Sequence, residues 1–259
     1  MLAKLYAVNP WVAYGVPLLA ILAAAELGRI IGVARRRHRG VSMSAEITTL
    51  QASMLALLAL MIGFTLSMTL TLFETRKQAV LNEANAIRTI ALRARMLPEP
   101  HASEVRKLLR EYVQLRIDVL REPQDQVSFE AATRRSDDLQ AQLWQQAMEI
   151  NAANPQLNIV LFVQSLNQAI DLQETRLFAA RNRVPGALFL LLYAIAVVVV
   201  GFSGFAVGFE GKQGPIPAAI LGALVASVIG LIADIDRPRS GFITINQQPI
   251  LDVQASLAS

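Results

Sequence analysis

The chain has 259 residues, a hydrophobic fraction of 54% and a mean hydropathy of +0.42, and these values exceed those of an ordinary soluble domain. Its net charge is only +4, and no basic stripe with interleaved aromatic residues occurs, so a nucleic-acid partner is not expected. The absence of cysteine excludes a disulfide framework, a thiol redox couple and a thiolate metal site.

Four apolar stretches, two on each side of a polar middle segment, carry the excess hydrophobicity. They are Trp11–Val33, Ala52–Phe73, Pro185–Phe209 and Ile216–Ala233. Each has roughly 18 to 25 residues, which at about 1.5 Å per residue is enough to cross a hydrocarbon core of roughly 30 Å. Because a bilayer offers no water to backbone amides, all four are predicted to be transmembrane helices.

The first stretch resembles a secretory signal at Ala23-Ala24-Ala25. Its apolar span nevertheless continues to Val33 before it meets a group of arginines, which favours an uncleaved anchor helix. Glu26 and Arg29 lie three residues apart in this stretch. They fit either a functional pair of intramembrane charges or a structural ion pair whose arginine reaches the head groups.

The second stretch carries small and hydroxyl-bearing residues at helical spacing. One interpretation is a water-facing surface that lines a pore, with an apolar ring of Leu60, Met61 and Phe64 at mid-membrane. The other is close helix packing through small residues, with the hydroxyls bonded to their own backbone. The pore interpretation assigns the lining to Thr49, Ser53, Ala56, Leu60, Gly63, Phe64, Ser67, Thr71 and Glu74.

The middle segment is predicted to be helical throughout. No glycine or proline occurs between Phe73 and Pro98, so the second helix is expected to continue through Glu74–Met96. Three more helices are predicted between proline breaks, over His101–Arg121, Ser128–Asn151 and Leu157–Asn182. The resulting fold is an all-α membrane protein. Its predicted regions are transmembrane helices 1 and 2 in 1–73, a helical extramembrane domain in 74–184, transmembrane helices 3 and 4 in 185–234 and a C-terminal tail in 235–259.

Two polar clusters in the middle segment contain carboxylates at helical spacing. They are Asn82, Glu83 and Asn85, and then Asn167, Asp171, Glu174 and Arg176. A hard cation is one interpretation, although no calcium-binding loop accompanies them, and interhelical hydrogen bonding is the other. Since no nucleophile motif, phosphate loop or zinc motif occurs either, the sequence predicts no enzyme, no cofactor and no metal site.

Glycines in the last two apolar stretches follow the spacing of closely packed membrane helices. The third stretch contains Gly201, Gly204 and Gly208, and the fourth contains Gly222 and Gly230. Small residues at such intervals let two backbones approach, so these glycines are predicted to build the helix bundle.

Several short motifs resemble the bestrophin-like family of bacterial integral membrane proteins, and the resemblance covers nearly the whole chain from about residue 40 onward. The motifs are Glu74-Thr75-Arg76-Lys77, Asn82-Glu83-Ala84-Asn85-Ala86, Leu97-Pro98-Glu99-Pro100, Arg181-Asn182-Arg183-Val184-Pro185, Asp236-Arg237-Pro238-Arg239-Ser240-Gly241 and Gln247-Gln248-Pro249.

The resemblance implies a homo-oligomeric ion channel, with a pentamer favoured, in the bacterial inner (plasma) membrane. Its partners would be the lipid bilayer and small inorganic ions, and its second helix would line the pore. A ring of Glu74 carboxylates favours cations whereas the bestrophin resemblance favours anions, so ion selectivity stays open. Calcium gating is not expected, because only Asp234 and Asp236 occupy the place of the acidic calcium-binding run of animal bestrophins. The alternative is a non-conducting membrane scaffold or sensor whose helical domain binds a partner.

Overall fold

The computed structural model describes residues 10–39, 45–121, 126–153, 157–211, 214–237 and 241–258. Within these ranges every regular element is an α-helix, which confirms the prediction of an all-α fold. The helices are α1 (Pro10–Arg39), α2 (Ala45–Ala94), α3 (His101–Arg121), α4 (Gln126–Ala153), α5 (Leu157–Arg181), α6 (Gly186–Glu210), α7 (Ile216–Ile235) and α8 (Gln248–Ala258).

Four spans of the described chain are long and apolar enough to cross a membrane. They lie within Tyr14–Arg37, Ile47–Ala94, Ile159–Glu210 and Ile216–Ile235, and they correspond to the four predicted stretches. Helix α2 is 50 residues long and continues well beyond its apolar part, as the lack of glycine and proline predicts. Helix α1 also runs on to Arg39, so the arginines after Val33 are helical rather than part of a loop.

Local sequence explains where α6 ends and α7 begins. Gly211 adopts a left-handed conformation with φ of 65°, and its amide donates a hydrogen bond to the Val207 carbonyl at 3.2 Å. A glycine in this conformation is a common end to a helix because it has no Cβ to clash. Pro215 then precedes the first residue of α7, where a missing amide proton costs no helical hydrogen bond.

The chain divides into two compact units, and the first comprises residues 1–72 and 183–244. Its apolar core includes Ile21 of α1, Leu58 of α2, Val200 of α6 and Ile229 of α7, all nearly or fully buried. Side chains from all four apolar helices therefore contribute to one core.

Helices α1 and α6 approach each other closely at glycines. A Cβ atom on Gly204 would lie 2.0 Å from the Ala25 carbonyl oxygen, and one on Gly208 would lie 2.2 Å from that of Arg29. On the other helix, a Cβ atom on Gly28 of α1 would lie 1.9 Å from the Gly201 carbonyl oxygen of α6. No side chain fits at these distances, so the third-stretch glycines serve helix packing as predicted.

Two buried aspartates organise the end of α7. Asp234 accepts hydrogen bonds from the Phe242 and Ile243 amides at 2.9 and 2.8 Å and from the Tyr14 hydroxyl. Asp236 accepts a hydrogen bond from the Val184 amide at 3.0 Å. The described partners of Asp234 are thus backbone amides and a tyrosine, and both aspartates hold local structure in the first unit.

The second unit comprises residues 73–182 and 245–259. Its core contains Ile87 of α2, Leu109 of α3, Leu143 of α4 and Phe162 of α5. The C-terminal segment, expected to be a tail, contributes α8, and Ile250 of that helix is completely buried in the same core.

Arg76 connects two of the short motifs that the sequence contains. Its side chain is buried, and it donates hydrogen bonds to the carbonyls of Ala179 at 3.2 Å and Asn182 at 2.6 Å. These carbonyls lie at the C-terminal end of α5, where helical partners are lacking and a positive charge is favourable. Arg76 therefore ties the motif in α2 to the motif that follows α5.

A buried ionic network centres on Glu83 of α2. Its carboxylate is fully buried and accepts hydrogen bonds from Arg116 of α3 at 2.7 and 2.9 Å and from Arg176 of α5. The Tyr112 hydroxyl lies 3.1 Å from Glu83 and 2.5 Å from Gln173. Burial raises the pKa of Tyr112 above its ordinary value, so this hydroxyl keeps its proton.

The network decides between the two interpretations of the polar clusters for the residues it contains. Glu83 comes from the first cluster and Arg176 from the second, and they meet as a buried ion pair. Arg176 also donates a hydrogen bond to Gln247, which precedes α8, at 3.2 Å. Interhelical bonding therefore accounts for both residues.

Candidate functional site: the exposed face of helix α2

One side of the apolar part of α2 packs into the core of the first unit. Leu58 is buried in that core, and Met54, Met61 and Ile62 contact it. Thr65 is also buried on this side. Met61 therefore belongs to the packed side, and the apolar ring predicted at mid-membrane loses this member.

All nine residues of the predicted pore lining lie on the exposed side of α2. Thr49 and Ser67 are each nine residues from Leu58, which is about two and a half helical turns and places them opposite the packed side. Phe64 retains 65% of its surface, and nothing lies within 4 Å of a Cβ atom built on Gly63. No described part of the chain covers this stripe.

The hydroxyls of this stripe are oriented by their own helix. Thr49 donates to the Ala45 carbonyl at 2.9 Å, Ser53 to the Thr49 carbonyl at 3.0 Å and Thr71 to the Ser67 carbonyl at 3.0 Å. Each hydroxyl proton is thereby used within the helix, as the second interpretation of the stripe expects. The remaining lone pairs on the Thr49 and Ser53 oxygens can accept a hydrogen bond from water or contact a cation.

Glu74, at the end of the stripe, has a cationic neighbour. The Lys77 ammonium lies 3.4 Å from its carboxylate, and both side chains are more than half exposed. The pair carries no net charge at neutral pH. A ring of Glu74 residues would therefore be accompanied by an equal ring of Lys77 residues, which weakens the cation preference expected from Glu74 alone.

The sequence matches the family model described as Bestrophin-like domain over residues 17–250. The chain belongs to the bestrophin-like family. The match includes helices α2 to α7 entirely, together with most of α1 and the start of α8. It confirms the resemblance drawn from the short motifs. No curated protein matches the chain significantly.

Solved structures support the same fold for this bestrophin-like chain. A crystal structure of a bacterial bestrophin homologue from Klebsiella pneumoniae carrying a point mutation aligns with a TM-score of 0.72 and 15% identity, over 93% of this chain and 96% of that chain. A second structure of that homologue, phased on zinc, aligns with a TM-score of 0.67 and 16% identity, over 92% and 94%. Together with the four apolar helices, the family match identifies a multi-pass protein of the inner membrane.

Proposed function

We propose that this bestrophin-like protein is a homo-oligomeric, pentameric ion channel whose central pore is lined by the exposed face of α2. The observation that carries the proposal is the position of the nine predicted lining residues, all of which lie on the side of α2 that the described part of the subunit leaves uncovered. Placing that face around an axis would cover it with copies of itself. Residues 74–184 would form the extramembrane domain.

Ion conduction would be passive in this arrangement. Hydroxyl oxygens of Thr49, Ser53, Ser67 and Thr71 would replace part of the hydration shell of an ion. Leu60 and Phe64 would form an apolar constriction that closes by losing its water. This mechanism needs no cofactor, and the bestrophin-like family supports a channel rather than an enzyme.

The scaffold alternative has less support from the described residues. It expects an exposed apolar patch on His101–Arg121 or Ser128–Asn151 that a partner would cover. Among the described side chains of α3 and α4, Met148 is the only large hydrophobic residue that is strongly exposed. A single exposed methionine is ordinary for a protein surface.

The test is single-channel recording of the purified protein in planar bilayers, with Ser67→Trp compared with Ser227→Trp. Both serines are exposed on apolar helices, and the Ser227 hydroxyl donates a hydrogen bond to the Ala223 carbonyl of its own helix. We expect wild-type currents that Ser67→Trp abolishes and Ser227→Trp preserves, with an unchanged pentamer by native mass spectrometry. Absence of current from a verified oligomer, or equal effects of the two variants, would contradict the proposal.

A second test uses the lack of native cysteine, because every introduced thiol is then unique. Thr71→Cys is expected to react with a membrane-impermeant charged thiol reagent during recording and to reduce the current. Thr69→Cys, from the buried side of the same helix, is the matched control and is expected to stay unreactive. Protection at Thr71 with reaction at Thr69 would place the opposite face of α2 on the pore.

A further inference from the structure

A cavity of about 820 Å³ opens in the second unit. Its walls come from the C-terminal part of α2, the beginning of α3 and the end of α8. This volume is within the range of small-molecule binding sites, roughly 300–1,000 Å³. Its charged residues are Arg88 and Arg95 of α2, Arg106 and Arg110 of α3, and Glu99.

The cavity has a large excess of positive charge. Four arginines against one glutamate leave a net charge of +3 (four minus one) on its walls. Glu99 pairs with Arg106 at 3.1 Å. Within the described chain, the side chains of Arg88 and Arg95 form no hydrogen bond or ion pair, and both residues are exposed. Two guanidinium groups are thus available to a ligand in a concave surface whose field attracts anions.

We propose that this cavity binds a soluble anion that carries two or more phosphate groups. Guanidinium groups match phosphate oxygens with paired, charge-assisted hydrogen bonds, and four arginines exceed what a single phosphate needs. Apolar walls of Ala91, Leu97 and Leu257 leave room for a carbon skeleton beside the phosphates. The inference concerns binding alone and does not rest on the proposed pore.

A lipid headgroup is a poorer source of this phosphate than a soluble molecule. Arg88 follows Phe73, the last residue of the apolar stretch, by 15 residues on α2. At about 1.5 Å per residue, the first arginine that α2 contributes to the cavity lies about 22 Å beyond that stretch. The proposal therefore commits to a soluble ligand.

Glu99 occupies part of the cavity and opposes the binding of an anion. One carboxylate oxygen accepts hydrogen bonds from the Ser103 amide at 3.1 Å and the Ser103 hydroxyl at 2.6 Å, and the other oxygen pairs with Arg106. The bonds from Ser103 lower the pKa of this carboxyl, so it is ionised at neutral pH. Substitution of Glu99 by glutamine removes this negative charge, so Arg106 loses its ion-pair partner and an incoming anion is no longer repelled. The side-chain oxygen of the glutamine can still accept hydrogen bonds from Ser103.

The experiment is isothermal titration of the full chain in detergent with inorganic pyrophosphate, alongside adenosine diphosphate and the short-chain lipid dihexanoyl phosphatidylglycerol. We expect saturable binding of both phosphate compounds. Affinity is expected to fall at least about tenfold in Arg88→Gln/Arg95→Gln, since each arginine would donate charge-assisted hydrogen bonds. In Glu99→Gln it is expected to rise several-fold.

The matched control is Arg134→Gln/Arg181→Gln, which removes two exposed arginines of the second unit that do not line the cavity. It lowers the net charge equally and is expected to leave the affinity unchanged. Equal losses in the two double variants would reveal unspecific attraction and overturn the proposal. Tighter binding of the lipid than of pyrophosphate, or no saturation in the millimolar range, would overturn it too. The gain expected in Glu99→Gln keeps the test valid if the arginine variant folds poorly.

Discussion

Replacement of Glu83 tests how the second unit is held together. Glu83→Gln keeps the size of the side chain but removes the negative charge that faces the guanidinium groups of Arg116 and Arg176. The amide N–H groups of the glutamine would then face the N–H donors of these arginines. The side chains of Glu83, Arg116 and Arg176 are 0%, 7% and 14% exposed, so water compensates little for the lost carboxylate.

The expected cost is large because it leaves two buried positive charges without their partner. Removing one member of a buried ion pair typically costs about 3–5 kcal/mol, which is a large part of the roughly 5–15 kcal/mol that stabilises a domain. Arg116 retains a contact with the Tyr112 ring, 5.6 Å from its centroid, and Arg176 retains its hydrogen bond to Gln247. These residual contacts place the expected loss at the lower end of that range.

The assay is urea unfolding followed by the fluorescence of Trp144, which packs against the core of the second unit. A Trp11→Phe background leaves Trp144 as the only tryptophan, since the chain contains two. The control is Glu111→Gln, which breaks the exposed ion pair with Arg135. Exposed pairs contribute about 0–1 kcal/mol, so this variant should unfold nearly as the wild type does.

The outcome that refutes this reasoning is a Glu83→Gln variant no less stable than Glu111→Gln. Replacing Glu83, Arg116 and Arg176 together by leucine is expected to recover most of the loss. The reason is that desolvation opposes buried ions, and an apolar substitute of similar size is often neutral or stabilising. A triple variant less stable than Glu83→Gln would show that these charges stabilise the unit more than they cost.

Two further predictions concern the apolar helices. Gly204→Ala should lower the thermal stability of the detergent-solubilised protein, because overpacking at the contact between α1 and α6 costs about 1–3 kcal/mol. The control Gly63→Ala, on an open helix surface, should be neutral or slightly stabilising. Equal destabilisation by both substitutions would contradict the close approach at Gly204. Lys77→Gln should shift the reversal potential in a KCl gradient toward cation preference, and Glu74→Gln should shift it toward anion preference. The reason is that each substitution leaves one charge of the pair uncompensated. Shifts of the same sign would show that the pair does not face the ion path.

Much of the architecture was predictable because the bilayer forces local solutions. A lipid-facing segment satisfies its backbone hydrogen bonds internally, so composition alone located all four membrane helices. Helix periodicity likewise placed Thr49 and Ser67 on one face, and the missing glycine and proline predicted a long α2. These inferences depend only on neighbours within a few turns of the same helix.

Other features depended on residues that are distant in sequence. Helix α8 has only 11 residues, too few for a stable isolated helix, and it forms where Ile250 enters the core of the second unit. The ion pair of Glu83 and Arg116 joins residues 33 positions apart. The arginine-lined cavity likewise combines arginines of α2 with arginines of α3, so neither segment indicates it alone.

The amino-acid sequence by itself determined the number of membrane helices, the continuity of α2 and the set of residues that share one of its faces, because these follow from hydrophobicity and from the 3.6-residue period of the helix. Only the tertiary structure decided which face of α2 the subunit covers, and that face contains Leu58 and Met61. The physical reason is that both sides of a membrane helix are apolar enough for lipid or for protein, so composition does not distinguish them. Packing into the core of the first unit buries one side of α2 and leaves the other side exposed among the described residues.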